Sequence, residues 1–313
     1  MDQAEWVIGI DVSKASLDVA VLHTKQAFQV ANDEAGWADL IGRLKGRAVK
    51  AIGLEPTGGY ERGVASALCK AGLPVRLVNP YRARLYARSL GYLAKNDKID
   101  AALIAQFAAK LPPRAPRRDP LAEQMAELVV ARRQLTGDKV RLGNQLEQVR
   151  DAALRRMTSQ RLRRIEAEIL IIGKRLAQLV AGDAAAAAKD RLIQSFKGAG
   201  PVLSHTLLAL APEIAEADRR EIAALIGLAP FDDDSGKRAG KRAIWGGRAE
   251  VRHVVYMAAL AAARCNPTLK AFRQRLIAKG KSPKVAIIAV ARRMLGIIVA
   301  LLRTGQEWNP AHA

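Results

Sequence analysis

Between residues 121 and 179 apolar side chains recur at alternating steps of four and three. Positions 121, 125, 128, 132, 135, 139, 142, 146, 149 and 153 hold this spacing, all apolar except Arg132 and Lys139. Leu162, Ile165, Ile169, Ile172, Leu176 and Leu179 resume it. Such steps keep side chains on one stripe of an α-helix, whereas a half-buried strand alternates by two. The stretch therefore predicts two long helices and a coiled coil, either antiparallel within the chain or between chains. An ordinary pair of bundle helices is the alternative.

The segment before it has a different period. Residues 5–12 and 16–23 are β-branched and apolar around a short Ser13-Lys14-Ala15 turn, which predicts a hairpin. A third strand is expected over 27–31, a helix from Asp33 with Trp37, Leu40 and Leu44 as its stripe, and a buried strand over 49–55. Helices over 61–71, 80–90 and 97–111 and a strand over 74–79 give a βα rhythm, hence a mixed sheet flanked by helices. Leu111-Pro112-Pro113-Arg114-Ala115-Pro116 cannot continue a helix and marks a linker. The expected division is 1–111, 112–195 and 196–313, the last almost wholly helical.

Charge narrows the partner. Of 313 residues, 51 are Lys or Arg and 30 are Asp or Glu, a formal net charge of +21. The surplus grows along the chain, and from Lys237 to Arg303 there are 16 basic residues and one acid, Glu250. A nucleic-acid surface is the expectation. Two distant cysteines, Cys69 and Cys265, exclude a disulfide framework and a zinc site, and suit a reducing, cytoplasmic compartment. The N-terminus lacks the basic and apolar regions of a signal peptide. Val285–Leu302 has the length of a membrane span but carries Arg292 and Arg293 at its centre, so it reads as a core helix and no membrane partner is expected.

Two local patterns point to phosphate. Phe196-Lys197-Gly198-Ala199-Gly200-Pro201 lies between helices and resembles the turn of helix-hairpin-helix modules. There Gly198 and Gly200 would let the backbone approach a phosphate, although a plain turn before a helix is the simpler reading. From Asp232 to Gly247 periodicity stops, which predicts an exposed loop of the kind that carries function. Four acids also sit at element ends: Asp11 on the first strand, Glu55 after the fourth, and Asp97 and Asp100 opening a helix. Neighbouring strands and an i, i+3 pair could bring them together, and clustered carboxylates suit Mg²⁺ and phosphoryl transfer. Singly, each could instead be a turn or helix cap or an arginine's partner.

Several motifs together resemble the DEDD transposases of insertion-sequence family one-hundred-and-ten, with the Piv and MooV invertases among their relatives. The residues that carry the likeness are Ile8-Gly9-Ile10-Asp11-Val12-Ser13-Lys14, Leu54-Glu55-Pro56-Thr57-Gly58-Gly59-Tyr60, Asn79-Pro80 and Lys95-Asn96-Asp97-Lys98-Ile99-Asp100-Ala101. In the second half they are Gly198-Ala199-Gly200-Pro201, Ile226-Gly227-Leu228-Ala229-Pro230, Asp234-Ser235-Gly236-Lys237, Ile244-Trp245-Gly246-Gly247-Arg248 and Val251-Arg252. The resemblance implies a RuvC-like, RNase H-like α/β domain bearing Asp11, Glu55, Asp97 and Asp100 with Mg²⁺, a coiled-coil insertion, and a helical C-terminal domain with Ser235 as catalytic nucleophile. It implies DNA, a structured bridge RNA and further copies of the chain as partners. Lys237, Arg238, Lys241, Arg242, Arg248 and Arg252 would then hold phosphates.

Other classes remain open on the residues alone. Gly9-Ile10-Asp11-Val12-Ser13 also resembles the first phosphate loop of actin-like sugar kinases, but no second glycine-rich loop follows. An RNase H-like nuclease or junction resolvase would use the same acids without a covalent link. A non-catalytic binder would need only the charge.

Overall fold

The computed structural model describes residues 5–24, 26–91, 97–112, 119–231, 240 and 242–309, with the side chains of 97–100 outside the description. The chain divides into two compact units, Met1–Arg118 and Asp119–Ala313.

Unit 1 is built on a five-stranded mixed sheet in the order β3-β2-β1-β4-β5. Strands β1 (Trp6–Val12), β2 (Ser16–Val21) and β3 (Ala27–Ala31) form an antiparallel meander, and β4 (Val49–Leu54) and β5 (Val75–Leu77) run parallel to β1. The Ser13 hydroxyl closes the first turn, accepting from the Ser16 amide at 2.9 Å. Asp33 caps α1 (Glu34–Leu44) through the Gly36 amide, and Asn79 caps α3 (Pro80–Ser89) through the Arg82 amide. Helices α2 (Glu61–Lys70) and α4 (Asp97–Lys110) complete the unit. All the elements expected here form, with boundaries shifted by a residue or two.

Alternation along the strands sorts the two faces. Ile8, Ile10, Val12, Ile52 and Leu54 join Leu40, Leu44, Val64 and Leu68 of α1 and α2 in one core. Val7 and Ala51 join Ile104, Phe107 and Ala108 of α4 in the other.

Among its described residues, unit 2 is helical apart from one small ribbon. Its long hairpin is α5 (Pro120–Gln148) and α6 (Ala152–Ala181), joined by three residues, with Lys139 and Glu166 paired across it at 2.9 Å. Then come α7 (Ala184–Ser195), α8 (Pro201–Leu210), a 3-10 turn (Pro212–Ala215), α9 (Arg219–Ile226), the ribbon of β6 (Pro230–Phe231) and β7 (Ala243–Ile244), α10 (Ala249–Cys265), α11 (Pro267–Ala278) and α12 (Pro283–Thr304). One core joins Met125, Val129, Leu176 and Val180 of the hairpin to residues of α7–α12. This core extends on both sides of 195/196, because the inner half of the hairpin buries its stripe against the helices that follow. Arg132, an exception in the heptad stripe, is also buried and donates toward the Val202 carbonyl at 3.4 Å and the Thr206 hydroxyl at 3.3 Å. Helix α12 is long and apolar enough to cross a membrane by length and composition alone, but Ile287, Val290, Met294, Leu295 and Ile298 sit at the heart of this core.

Candidate active site

The sheet of unit 1 brings two of the four expected acids to neighbouring positions. Ile10 is in register with Leu54, so Asp11 and Glu55 stand one residue further along adjacent parallel strands. Alternation from Gly9 and Gly53 puts both on the face that α4 covers. Both are half-buried and engaged in polar interactions.

What draws α4 onto that face is an absence of side chains. Gly9 and Gly53 are register partners. A Cβ at Gly9 would collide with the Ala101 carbonyl and the Ala105 amide, and one at Gly53 would lie 2.7 Å from Ala108 Cβ and 2.9 Å from Ile104 Cγ2. Helix backbone thus rests on strand backbone, as only glycine permits. Arg76 of β5, itself in register with Gly53, fixes the far end: its Nη1 donates to the Ala108 and Leu111 carbonyls at 2.8 and 2.7 Å. A cation at a helix C-terminus is also favoured by the helix dipole. Positions 97 and 100 occupy the turn before Ala101, on the same face of the sheet as Asp11 and Glu55. Their side chains lie outside the described residues, and among those that are described no group of three or more potential metal ligands converges.

The strand pairing adds an acid that the sequence reading missed. Asp18 pairs directly with Asp11 across β1 and β2, and accepts from Gln29 Nε2 at 3.0 Å. Directly opposed like charges destabilise an antiparallel pair. The expected three-residue turn centred on Lys14 would put 11 opposite 17; the observed register, with Val12 opposite Leu17, is one residue longer and brings Asp18 there instead.

In unit 2 the Gly198 turn has φ of +113°, and a Cβ there would press on Ala262 of α10 at 2.5 Å. Packing thus accounts for Gly198, and Asn266 Nδ2 holds the turn through the Lys197 carbonyl at 3.2 Å. Gly200 is exposed and precedes α8, with open space where a Cβ would stand.

Ser235, Lys237, Arg238, Lys241 and the run Asp232-Asp233-Asp234 fall outside the described residues. The base of their loop is described. Pro230 pairs with Ile244 and Phe231 with Ala243. Gly227, in the left-handed region at φ +77°, closes α9 and crosses Gly246 and Gly247 so tightly that a Cβ at Gly227 or Gly247 would strike the opposing backbone. Arg252 Nη1 donates to the Gly246 carbonyl, with longer approaches to those of Ile226 and Gly227. Arg248 donates to the Leu210 carbonyl at 2.7 Å and pairs with Glu213 at 2.6 Å. Both guanidiniums thus brace the loop's base. Arg242 is exposed beside the ribbon.

Between α7 and α8 lies a buried polar node. Ser204 donates to Asp190 Oδ1 at 2.5 Å, and His205 Nε2 lies 3.8 Å from the same oxygen. Burial lowers the His205 pKa from its ordinary value, Asp190 opposing and Arg132 reinforcing the shift.

Comparison with known proteins agrees with this layout. A DEDD transposase family model of the IS110 type matches residues 8–154, and a model described as "Transposase IS116/IS110/IS902 family" matches residues 190–274. A pilin gene-inverting protein of Moraxella bovis is 28% identical over 316 residues, covering 96% of this chain and 97% of the relative, and that of Moraxella lacunata is 27% identical over the same span. An uncharacterized 42 kDa protein of insertion element IS900 from Mycobacterium paratuberculosis is 34% identical over 126 residues, 38% of this chain.

Proposed function

This chain belongs to the IS110 and Piv-like family of transposases and is a DNA recombinase, and from that premise we propose that it cuts and rejoins strands through a phosphoserine link formed by Ser235. The observation that carries the reading is the adjacency of Asp11 and Glu55 beneath a helix that begins with Asp97 and Asp100. The neighbouring β1 and β4 and the order β3-β2-β1-β4-β5 support a RuvC-like, RNase H-like reading of unit 1.

The donor set fits a hard divalent cation. Asp11, Glu55, Asp97 and Asp100 would hold Mg²⁺, with Asp18 adding negative charge beside them, and the ion would supply neutralisation of phosphate charge. The Ser235 hydroxyl would attack the scissile phosphorus as its proton leaves. The P–O bond to the departing sugar oxygen breaks, and the strand remains esterified to the serine. Reversal by a hydroxyl of a second strand rejoins DNA without an external energy source, because one phosphodiester replaces another. Lys237, Arg238, Lys241 and Arg242 would hold phosphates near the loop.

The element-encoded bridge RNA would select donor and target by pairing. The chain would act as a homo-oligomer through a coiled coil of α5 and α6, a role supported by the exposure of Val140, Leu154, Met157, Leu170 and Ile171 on the hairpin. With a DNA-acting role, and with the reducing compartment expected from the cysteines, the protein would work in the bacterial cytoplasm, on the nucleoid.

The test is incubation of the protein and its copurified RNA with end-labelled donor and target DNA and Mg²⁺, resolved on a denaturing gel. A protein-linked band in the wild type, absent from Ser235→Ala, is the expected result. Cleavage without linkage in both proteins would replace this reading with a nuclease or resolvase.

A further inference from the structure

The ribbon at the base of the Ser235 loop exposes two aromatic rings. Phe231 and Trp245 meet in a tilted contact, 5.0 Å between centroids and 46° between planes, yet they stay 42% and 48% exposed. A cross-strand aromatic pair explains why the rings touch each other. It does not explain why both stay open to water, where such rings forgo the burial that usually stabilises them. Elsewhere in unit 2, among the described residues, the aromatic rings are covered. Phe196 is buried against Trp308, and Phe272 lies between the guanidiniums of Arg275 and Arg293.

The pair is also held in place. The crossing of Gly227 with Gly246 and Gly247, and the Arg248 and Arg252 braces, fix the residues after Trp245, and Ile244 before it pairs with Pro230. Both signs of charge adjoin the pair in sequence: Asp232-Asp233-Asp234 follows Phe231, whereas from Lys237 to Arg303 there are 16 basic residues and one acid, and Arg242 beside the ribbon is exposed. Two open rings beside the exposed Arg242 match the two components of single-strand binding, stacking on the bases and attraction to the backbone. A duplex keeps its bases inside the stack and offers the rings nothing. The occupant that fits is a base freed from pairing.

We propose that Phe231 and Trp245 form a stacking platform for an unpaired base of the DNA strand being processed. This rests on the chain's being a DNA recombinase but not on Ser235 as nucleophile. Binding can be followed without Mg²⁺ and without cleavage, so failure of the serine chemistry leaves the test intact.

The experiment titrates the full chain with oligothymidylate, with oligouridylate and with a mixed-sequence duplex, following tryptophan fluorescence and affinity. Wild type, Trp245→Phe and Trp245→Ala are compared, with melting curves to confirm that Trp245→Phe folds. Oligothymidylate should quench the wild type but not Trp245→Phe, although Trp6, Trp37 and Trp308 remain. Trp245→Ala should bind oligothymidylate about tenfold more weakly, Trp245→Phe should recover most of that loss, and duplex affinity should stay level. The proposal falls if quenching persists in Trp245→Phe, or if Trp245→Ala loses duplex and single strand alike. It also falls if oligouridylate affinity alone changes, which would make RNA the occupant, or if oligomeric state alone changes, which would make it a second copy.

Discussion

At the scale of single residues, glycines show how one atom sets the geometry of the acid site. Gly9 has no room for a Cβ, because helix backbone occupies that place. Gly9→Ala should therefore destabilise unit 1 by about 1–3 kcal/mol through overpacking. Gly42, on α1 with open space around it, should do the opposite, Gly42→Ala stabilising by about 0.5–1 kcal/mol through helix propensity. Denaturant midpoints of the two variants measure the contrast. His205 gives a second residue-scale prediction. Burial holds its pKa below the ordinary 6.5, so the unfolded chain takes up the proton first as pH falls. Its contribution is complete above about pH 6.5 and is lost as pH drops below that value. Melting temperature should thus fall from about pH 7.5 to about pH 5.5 more steeply in the wild type than in His205→Gln. Equal slopes would assign the acid sensitivity elsewhere.

At the scale of elements, the hairpin of α5 and α6 has an inner half inside the core of unit 2 and an outer part that covers its seam, with Leu142 buried, yet leaves several apolar residues off the seam exposed. Leu176 and Val180 are buried, whereas Leu170 and Ile171 are 66% and 65% exposed. Exposed apolar side chains of this kind are stable in water when a second surface covers them. Leu170→Glu with Ile171→Glu should lower the oligomeric state in sedimentation while leaving the monomer's melting temperature nearly unchanged. The exposed Lys139–Glu166 pair should matter little, within about 1 kcal/mol.

At the scale of the whole molecule, charge and chemistry are separable. The net charge of +21 predicts DNA affinity that falls steeply as salt rises, from release of counterions by phosphate contacts. Asp11→Asn and Glu55→Gln should abolish strand cleavage on a gel while leaving affinity and its salt slope nearly intact. Loss of binding in step with cleavage would mean that the acids hold the fold rather than the chemistry.

What the sequence determined by itself was periodic or punctuated. Alternation by two gave the strands, steps of four and three gave the long helices, and Asp, Asn and Pro marked where helices begin, because these signals act within a few residues. The neighbouring positions of Asp11 and Glu55 were also legible, since the hairpin and the βα rhythm leave few ways to order the strands. Tertiary structure decided what depends on distant partners. Only packing shows that Gly9 and Gly53 seat α4, that Gly198 meets Ala262, and that Arg132, a break in the heptad pattern, reaches Thr206 on α8. Arg248 and Arg252 make the same point. In sequence they are cations beside a loop, but a guanidinium goes to whichever acceptors the fold brings within reach, and here those include the carbonyls of Leu210 and Gly246.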